Sequence, residues 1–154
     1  MSLIEVILGA AIVLFVVTSV VSAYITYLRV GLANVKRVQA AFLLEEGIEA
    51  LRTMRDAGYT ANIASLSTTT NYYLAFATST NLWQSTTSPA FIDGIFGRTV
   101  GIADVSRDTG GVIVTSGGSF DSGTKKITIS VSWNSPQGTT TKSISAYISN
   151  LFNN

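Results

Sequence analysis

The chain has 154 residues with Lys+Arg 10, Asp+Glu 9 and a formal net charge of +1, enough for one domain with a modest core and too balanced for a nucleic-acid surface. It contains no cysteine and no histidine, which excludes disulfides, thiolate chemistry and cysteine metal sites, and removes the usual general base and the commonest transition-metal ligand. No catalytic, cofactor-binding or metal site is expected, and a structural or binding role leads over an enzymatic one.

The first predicted element is a helix. The opening MSLIEVILGAAIVLFVVTSVV places Glu5 inside an apolar run, and the next charge is Arg29. As a helix, Val6 to Leu28 covers about 35 Å at ~1.5 Å per residue, sufficient to cross a bilayer. A secretory signal peptide is a poor reading, because the basic n-region is missing, the apolar stretch is too long and the helical pattern continues past it. It continues to about Asp56, since no proline precedes Pro89 and Val35 to Met54 consists largely of good helix formers. The expected division is an apolar segment 1–28, an amphipathic half 29–57 of the same helix, and a β-rich head 58–154.

Apolar positions in the second half change face. Val35, Val38 and Phe42 form one cluster, whereas Ala41, Leu44, Ile48, Leu51 and Met54 form a stripe at helical spacing. Two faces imply two partners. Glu45, Glu49, Arg52 and Asp56 fall away from the second stripe and read as a solvated side with weak pairing from Glu49 to Arg52 and Arg52 to Asp56. Gly58 is a plausible stop.

Beyond it the chain turns rich in Ser, Thr, Gly and Asn, a composition typical of extracellular β domains. Strands are expected at Asn71 to Ala77, Phe96 to Arg107, Gly110 to Thr115, Lys125 to Trp133 and Lys142 to Phe152, which carry β-branched and aromatic residues. The last two alternate: Ile127, Ile129, Val131 and Trp133 share one face, as do Ile144, Ala146 and Ile148, and Asn134 to Gly138 supplies Pro and Gly for a hairpin. SLSTTTN and STTSP read as loops. The predicted fold class is α+β: a long N-terminal helix packed by its C-terminal half, through Leu44, Ile48, Leu51 and Met54, on an antiparallel sheet presenting Ile127, Ile129, Val131 and Trp133.

Glu5 needs an explanation. A carboxylate in hydrocarbon costs several kcal/mol even on lenient scales, so it usually marks a partner or a function. The plainer alternative is an acid in the first helical turn, favoured by the dipole by ~0.3 to 1 kcal/mol. Charge adds a second tension. Arg29, Lys36 and Arg37 would hold the far end of the span in the cytoplasm, against the outward composition of the head. A short basic leader, cut away before Met1, resolves it.

Those residues resemble the mature start of a type IV pilin, a family whose precursors lose a short basic leader and gain a methyl group on the new N-terminus. Glu5 matches the family's glutamate and the apolar run matches its helix. Further on, AAFLLEEGIEALRTMRD, RTVGIADVSRD and KKITISVSWNSPQGTTTKSISAYISNLF are similar to segments of bacterial pilin-like proteins in the same order. The chain departs from the commonest pattern at Met1 and Ser2, where Phe and Thr prevail, at Ser22, where many bacterial pilins carry proline, and in lacking the cysteine pair of several members. The resemblance implies a filament subunit on the cell surface, held in the inner membrane as a precursor. Its partners would be copies of itself, a prepilin peptidase and the pilus assembly machinery.

It also implies that Glu5 neutralises the processed terminus, Met1, of an adjacent subunit. Two opposite charges ~4 Å apart at an effective dielectric of about 20 attract by roughly 4 kcal/mol before desolvation. Leu3, Ile4, Val6, Ile7, Leu8, Ile12, Leu14 and Phe15 would pack the filament core. Because β-branched residues and serine crowd VVTSVVS, and Gly31 is a second soft point, an extended break is expected between about Thr18 and Ser22, where related pilins lose helicity on assembly. The rival at that segment is a continuous helix.

Other constellations are weaker. Asp104, Asp108 and Asp121 could offer calcium oxygens but lack the spacing of a calcium loop. Gly110, Gly111, Gly117 and Gly118 read as turns. Trp133 reads as core, and Trp83 is the aromatic left for display. Loop serines and threonines could carry O-linked glycans, and no asparagine has the N-linked sequon. Two rival functions stand beside a major pilus subunit: a minor pilin or pseudopilin of a secretion or competence machine, and a single-pass anchored β-domain adhesin.

Overall fold

The computed structural model describes residues 2–136 and 138–152. One helix, α1 (Leu3–Ala57), is followed by a π-helical turn at Thr60–Ala64 and seven strands: β1 (Tyr73–Ala77), β2 (Leu82–Thr86), β3 (Phe91–Ile92), β4 (Phe96–Arg107), β5 (Ile113–Val114), β6 (Ser119–Ser135) and β7 (Gly138–Ser149). The chain divides into two compact units, Met1–Val38 and Gln39–Asn154.

The first unit is helix alone. Thr18 and Ser19 donate their hydroxyls to the Phe15 carbonyl, Ser22 to Thr18 and Thr26 to Ser22, at 2.8–3.0 Å. The expected break between Thr18 and Ser22 is therefore absent from this structure: the hydroxyls that could pull the backbone apart instead back-bond one turn earlier, and no proline removes a helical N–H.

In the second unit the rest of α1 lies on an antiparallel sheet. Hydrogen-bonded order is β3-β4-β6-β7, with β5 on β4, while β1 and β2 form a separate hairpin. Period-2 alternation turns Phe96, Arg98, Val100 and Ile102 of β4 and Ile127, Ile129, Val131 and Trp133 of β6 inward. The apolar members of this set meet Leu44, Ile48, Leu51 and Met54 of the helix in one buried cluster, the α+β architecture of a helix laid on a sheet. Gly47 lets the two approach: a Cβ there would stand 2.9 Å from Ile129 Cδ1.

Between Asp104 and Val105 the pairing with β6 jumps from Lys125 to Asp121, leaving Ser122, Gly123 and Thr124 opposite no residue of β4. This irregularity flips the phase of β4, so that Ile102 and then Val105 are the buried positions. The carbonyl of Ser122 accepts from the Tyr59 hydroxyl at 3.3 Å, and that of Gly123 from the Asn150 N–H at 2.8 Å, so both are satisfied.

Several boundaries differ from expectation. β2 takes Ser85 and Thr86 out of the expected STTSP loop, because pairing with β1 satisfies their backbone. The Gly110 to Thr115 strand contracts to Ile113–Val114, since Gly111 at φ 81° belongs to a turn. β7 sits at the sheet edge, and its Ile144 is 41% exposed, unlike the buried Ile148. The hairpin falls at the β6–β7 joint, where Ser135 pairs with Gly138.

Candidate functional site

Residues 3–38 contain no buried position, and the described residues on α1 that are buried begin at Ala40. Leu3, Ile4, Val6, Ile7, Leu8, Ile12, Leu14 and Phe15 are all exposed, as are Val20, Tyr24 and Leu28 further along. The helix is long and apolar enough to cross a membrane by length and composition. Glu5 lies in its first turn, its N–H donating to the Ser2 carbonyl at 3.0 Å. That position suits the dipole, and the next ionisable group on the helix that carries charge is Arg29. Met1 lies outside the described residues.

An apolar surface of this size is unstable in water, since each exposed Leu, Ile or Phe forfeits about 1.5–3 kcal/mol available from burial. The sequence offers it to lipid or to other protein.

The second unit, by contrast, has a buried apolar core. Among the described residues its deeply buried guanidinium is that of Arg98, 4% exposed, whose Nη1 donates to the Leu43 carbonyl at 3.2 Å and pairs with Glu46 at 3.1 Å. Its Cζ stands 5.4 Å from the centre of the Trp83 ring, within cation–π range. Trp83 is thus half-buried against the core and packs edge-on with Phe76 at 5.5 Å, which corrects its expected display role. Arg98 was missed in the sequence: it stands between Phe96 and Val100 on β4, and its charge hides its inward register.

At the far end of the sheet Arg107 gathers three partners. Its Nε donates to Asp121 Oδ2 at 2.6 Å, Nη1 to the Gly111 carbonyl at 2.8 Å, and Nη2 to Thr124 Oγ1 at 3.2 Å. The Arg107 hydrogen bond, helped by Thr124 and the Gly123 N–H, holds the Asp121 carboxyl below the usual aspartate range. Burial, with the nearby charges of Asp121 and Asp104, raises the Tyr59 phenol above its usual value. Asp104 pairs with Lys125, and Asp108 accepts from the Gly110 and Val112 N–H groups at 2.9 Å. The three aspartates weighed for calcium are thereby engaged within the chain, and the described residues hold no cluster of three acids suited to a metal.

On the outer side of α1, Glu49 pairs with Arg52 and Asp56 with Arg55. Phe42, 65% exposed, and Val38 carry the apolar surface beyond the membrane-length segment. No protein-family model, no curated protein and no solved structure matches the chain.

Proposed function

We propose that the chain is the structural, major subunit of a type IV pilus, polymerising through α1 into an extracellular filament after residing in the inner membrane. One observation carries this reading: an uncovered apolar helix of membrane length with a single acid, Glu5, in its first turn. In lipid that acid is a cost borne alone. In a stack of copies it meets a neighbour's processed terminus at Met1, and the exposed Leu3, Ile4, Val6, Ile7, Leu8, Ile12, Leu14 and Phe15 find apolar company. Non-directional cohesion then comes from the apolar face and register from the charge pair. The role requires no catalysis. The family resemblance adds a prepilin peptidase and an ATP-driven assembly machine as partners.

The test is filament purification from cells producing the full chain. Filaments sheared from the surface should consist mainly of this chain, and Glu5→Ala should lower their yield about tenfold or more at unchanged cellular level. A chain found only in trace amounts would fit a minor pilin or pseudopilin, whereas a displayed but never polymeric chain would fit an anchored adhesin.

A further inference from the structure

The five-stranded sheet has two edges, and pieces of the chain itself close one of them. Along β4, Phe91–Ile92 pairs with Phe96 and Gly97, and Ile113–Val114 pairs with Ser106 and Arg107. Between these, Tyr72 exchanges two backbone hydrogen bonds with Val100, at 2.9 and 2.8 Å. β7 forms the other edge, twelve residues long, without proline, without an acid and with Lys142 as its single charge. Among the described residues no strand pairs with its outer side.

The phase of that open edge follows from the ladder with β6, whose register runs without a shift from Ser135↔Gly138 to Thr124↔Ser149. The Asn150 N–H donates to the Gly123 carbonyl in the same register. Even-numbered residues of β7 therefore turn their N–H and C=O groups to β6, and odd-numbered ones, from Thr139 to Ser149, turn theirs outward. Even-numbered side chains share the helix side of the sheet with Ile127 and Ile129. Ile148 is buried there, whereas Ile144 is 41% exposed, so α1 leaves the rim of the sheet uncovered.

We propose that β7 is a docking edge for β7 of a second copy, the two strands running antiparallel about a two-fold axis at Ile144 and joining two sheets into one. Parity and charge select this register. Outward groups meet outward groups only when odd-numbered residues face odd-numbered ones. An axis at Ile144 does this over nearly the whole strand, setting Ser143 against Ser145 and Thr141 against Tyr147. The exposed Ile144 meets its own mate as an apolar cross-strand pair. Lys142 falls opposite Ala146, about 14 Å along the strand from the other Lys142 at ~3.4 Å per residue, beyond the screening length of about 8 Å. An axis at Lys142 would instead set two ammonium groups face to face. A second β7 matches this edge in length, in the spacing of its outward groups and in its neutral hydroxyl side chains. The contact is isologous and closes as a dimer. It uses no residue of 3–38 and stands independently of the filament reading.

The chain contains no cysteine, so single cysteines in the full chain, held in mild detergent, read the register. Ile144→Cys places two Cα atoms about 4.5–5.5 Å apart, within disulfide range. It should oxidise to a dimer several-fold more than Lys142→Cys, whose two copies stand too far apart. Ser143→Pro, added to Ile144→Cys, removes an outward N–H and leaves the β6 ladder bonded. The crosslink should then fall several-fold while the urea midpoint of the head holds. In the unmutated chain the amides of Ser143, Ser145 and Tyr147 should exchange with deuterium more slowly as the protein is concentrated.

Equal crosslinking at 144 and 142 would mark random collision and overturn the register. Exchange at those amides that is fast at every concentration would overturn the docking edge itself. Protection that persists unchanged on dilution would mean that a segment of the same chain covers the edge, and would overturn it too. Should the proline variant fail to fold, the cysteine comparison and the exchange decide alone.

Discussion

Residues 3–38 and the unit from Gln39 onward solve the same problem in opposite ways. The second folds its apolar residues inward, with Leu51, Ile63, Val100, Ile127, Ile129 and Val131 fully buried. Its inward cation, Arg98, has an acid, a carbonyl and an aromatic face around it. The first does neither: every described residue of it is outside the core, and its acid faces no cation in the described chain. The difference teaches where each part draws its free energy. The second unit buries an apolar core within one chain, whereas no described residue of 3–38 is buried.

Truncation should separate the two most sharply. Leu51→Ala removes a side chain with no exposure and should cost about 2–5 kcal/mol of head stability, read as a lowered urea midpoint of the full chain in mild detergent. Leu14→Ala, in the exposed segment, should leave that midpoint unchanged within about 0.5 kcal/mol while reducing filament yield. Equal effects on the midpoint would erase the contrast.

A second probe sharpens the picture of the head. Gly118 has φ 78°, and a Cβ there would stand 2.5 Å from the Arg107 carbonyl oxygen. Gly118→Ala should therefore destabilise by about 1–3 kcal/mol through backbone strain. Gly9, which has open space around it, should accept alanine without loss by the same denaturation assay.

The smallest effect is electrostatic. The folded-state carboxyl of Asp121 titrates below its unfolded value because Arg107 donates to it. Its contribution is present above the unfolded aspartate value of about 4 and is lost as pH falls through the depressed folded value. Head stability should thus decline as pH falls below about 5, and Asp121→Asn should flatten part of that decline in a urea series across pH.

Much of this was legible in the sequence, for physical reasons that differ by element. The helix limits followed from an apolar and then helix-forming run without proline that ends before Gly58, and β4 was placed at Phe96–Arg107 by its β-branched and aromatic residues. β2 was not legible, since Leu82–Thr86 is polar and becomes a strand only through its partner β1. The π-helical turn and the register jump at Asp104/Val105 depend on tertiary contacts such as Tyr59 on Ser122, which no local pattern encodes. Arg98 was missed because a charge at an inward position reads as an error in the alternation until Glu46 and Trp83 are seen beside it. The Thr18–Ser22 segment is helical in this single chain, its hydroxyls bonded to carbonyls one turn earlier.

Electron cryo-microscopy of filaments purified from cells producing the full chain tests the central claim most directly. Residues 3–28 should be enclosed by other copies, with the Glu5 carboxylate at ion-pair distance from a neighbouring chain's N-terminus. A filament in which that carboxylate faces water, or in which the apolar helix lies outside the core, would contradict it.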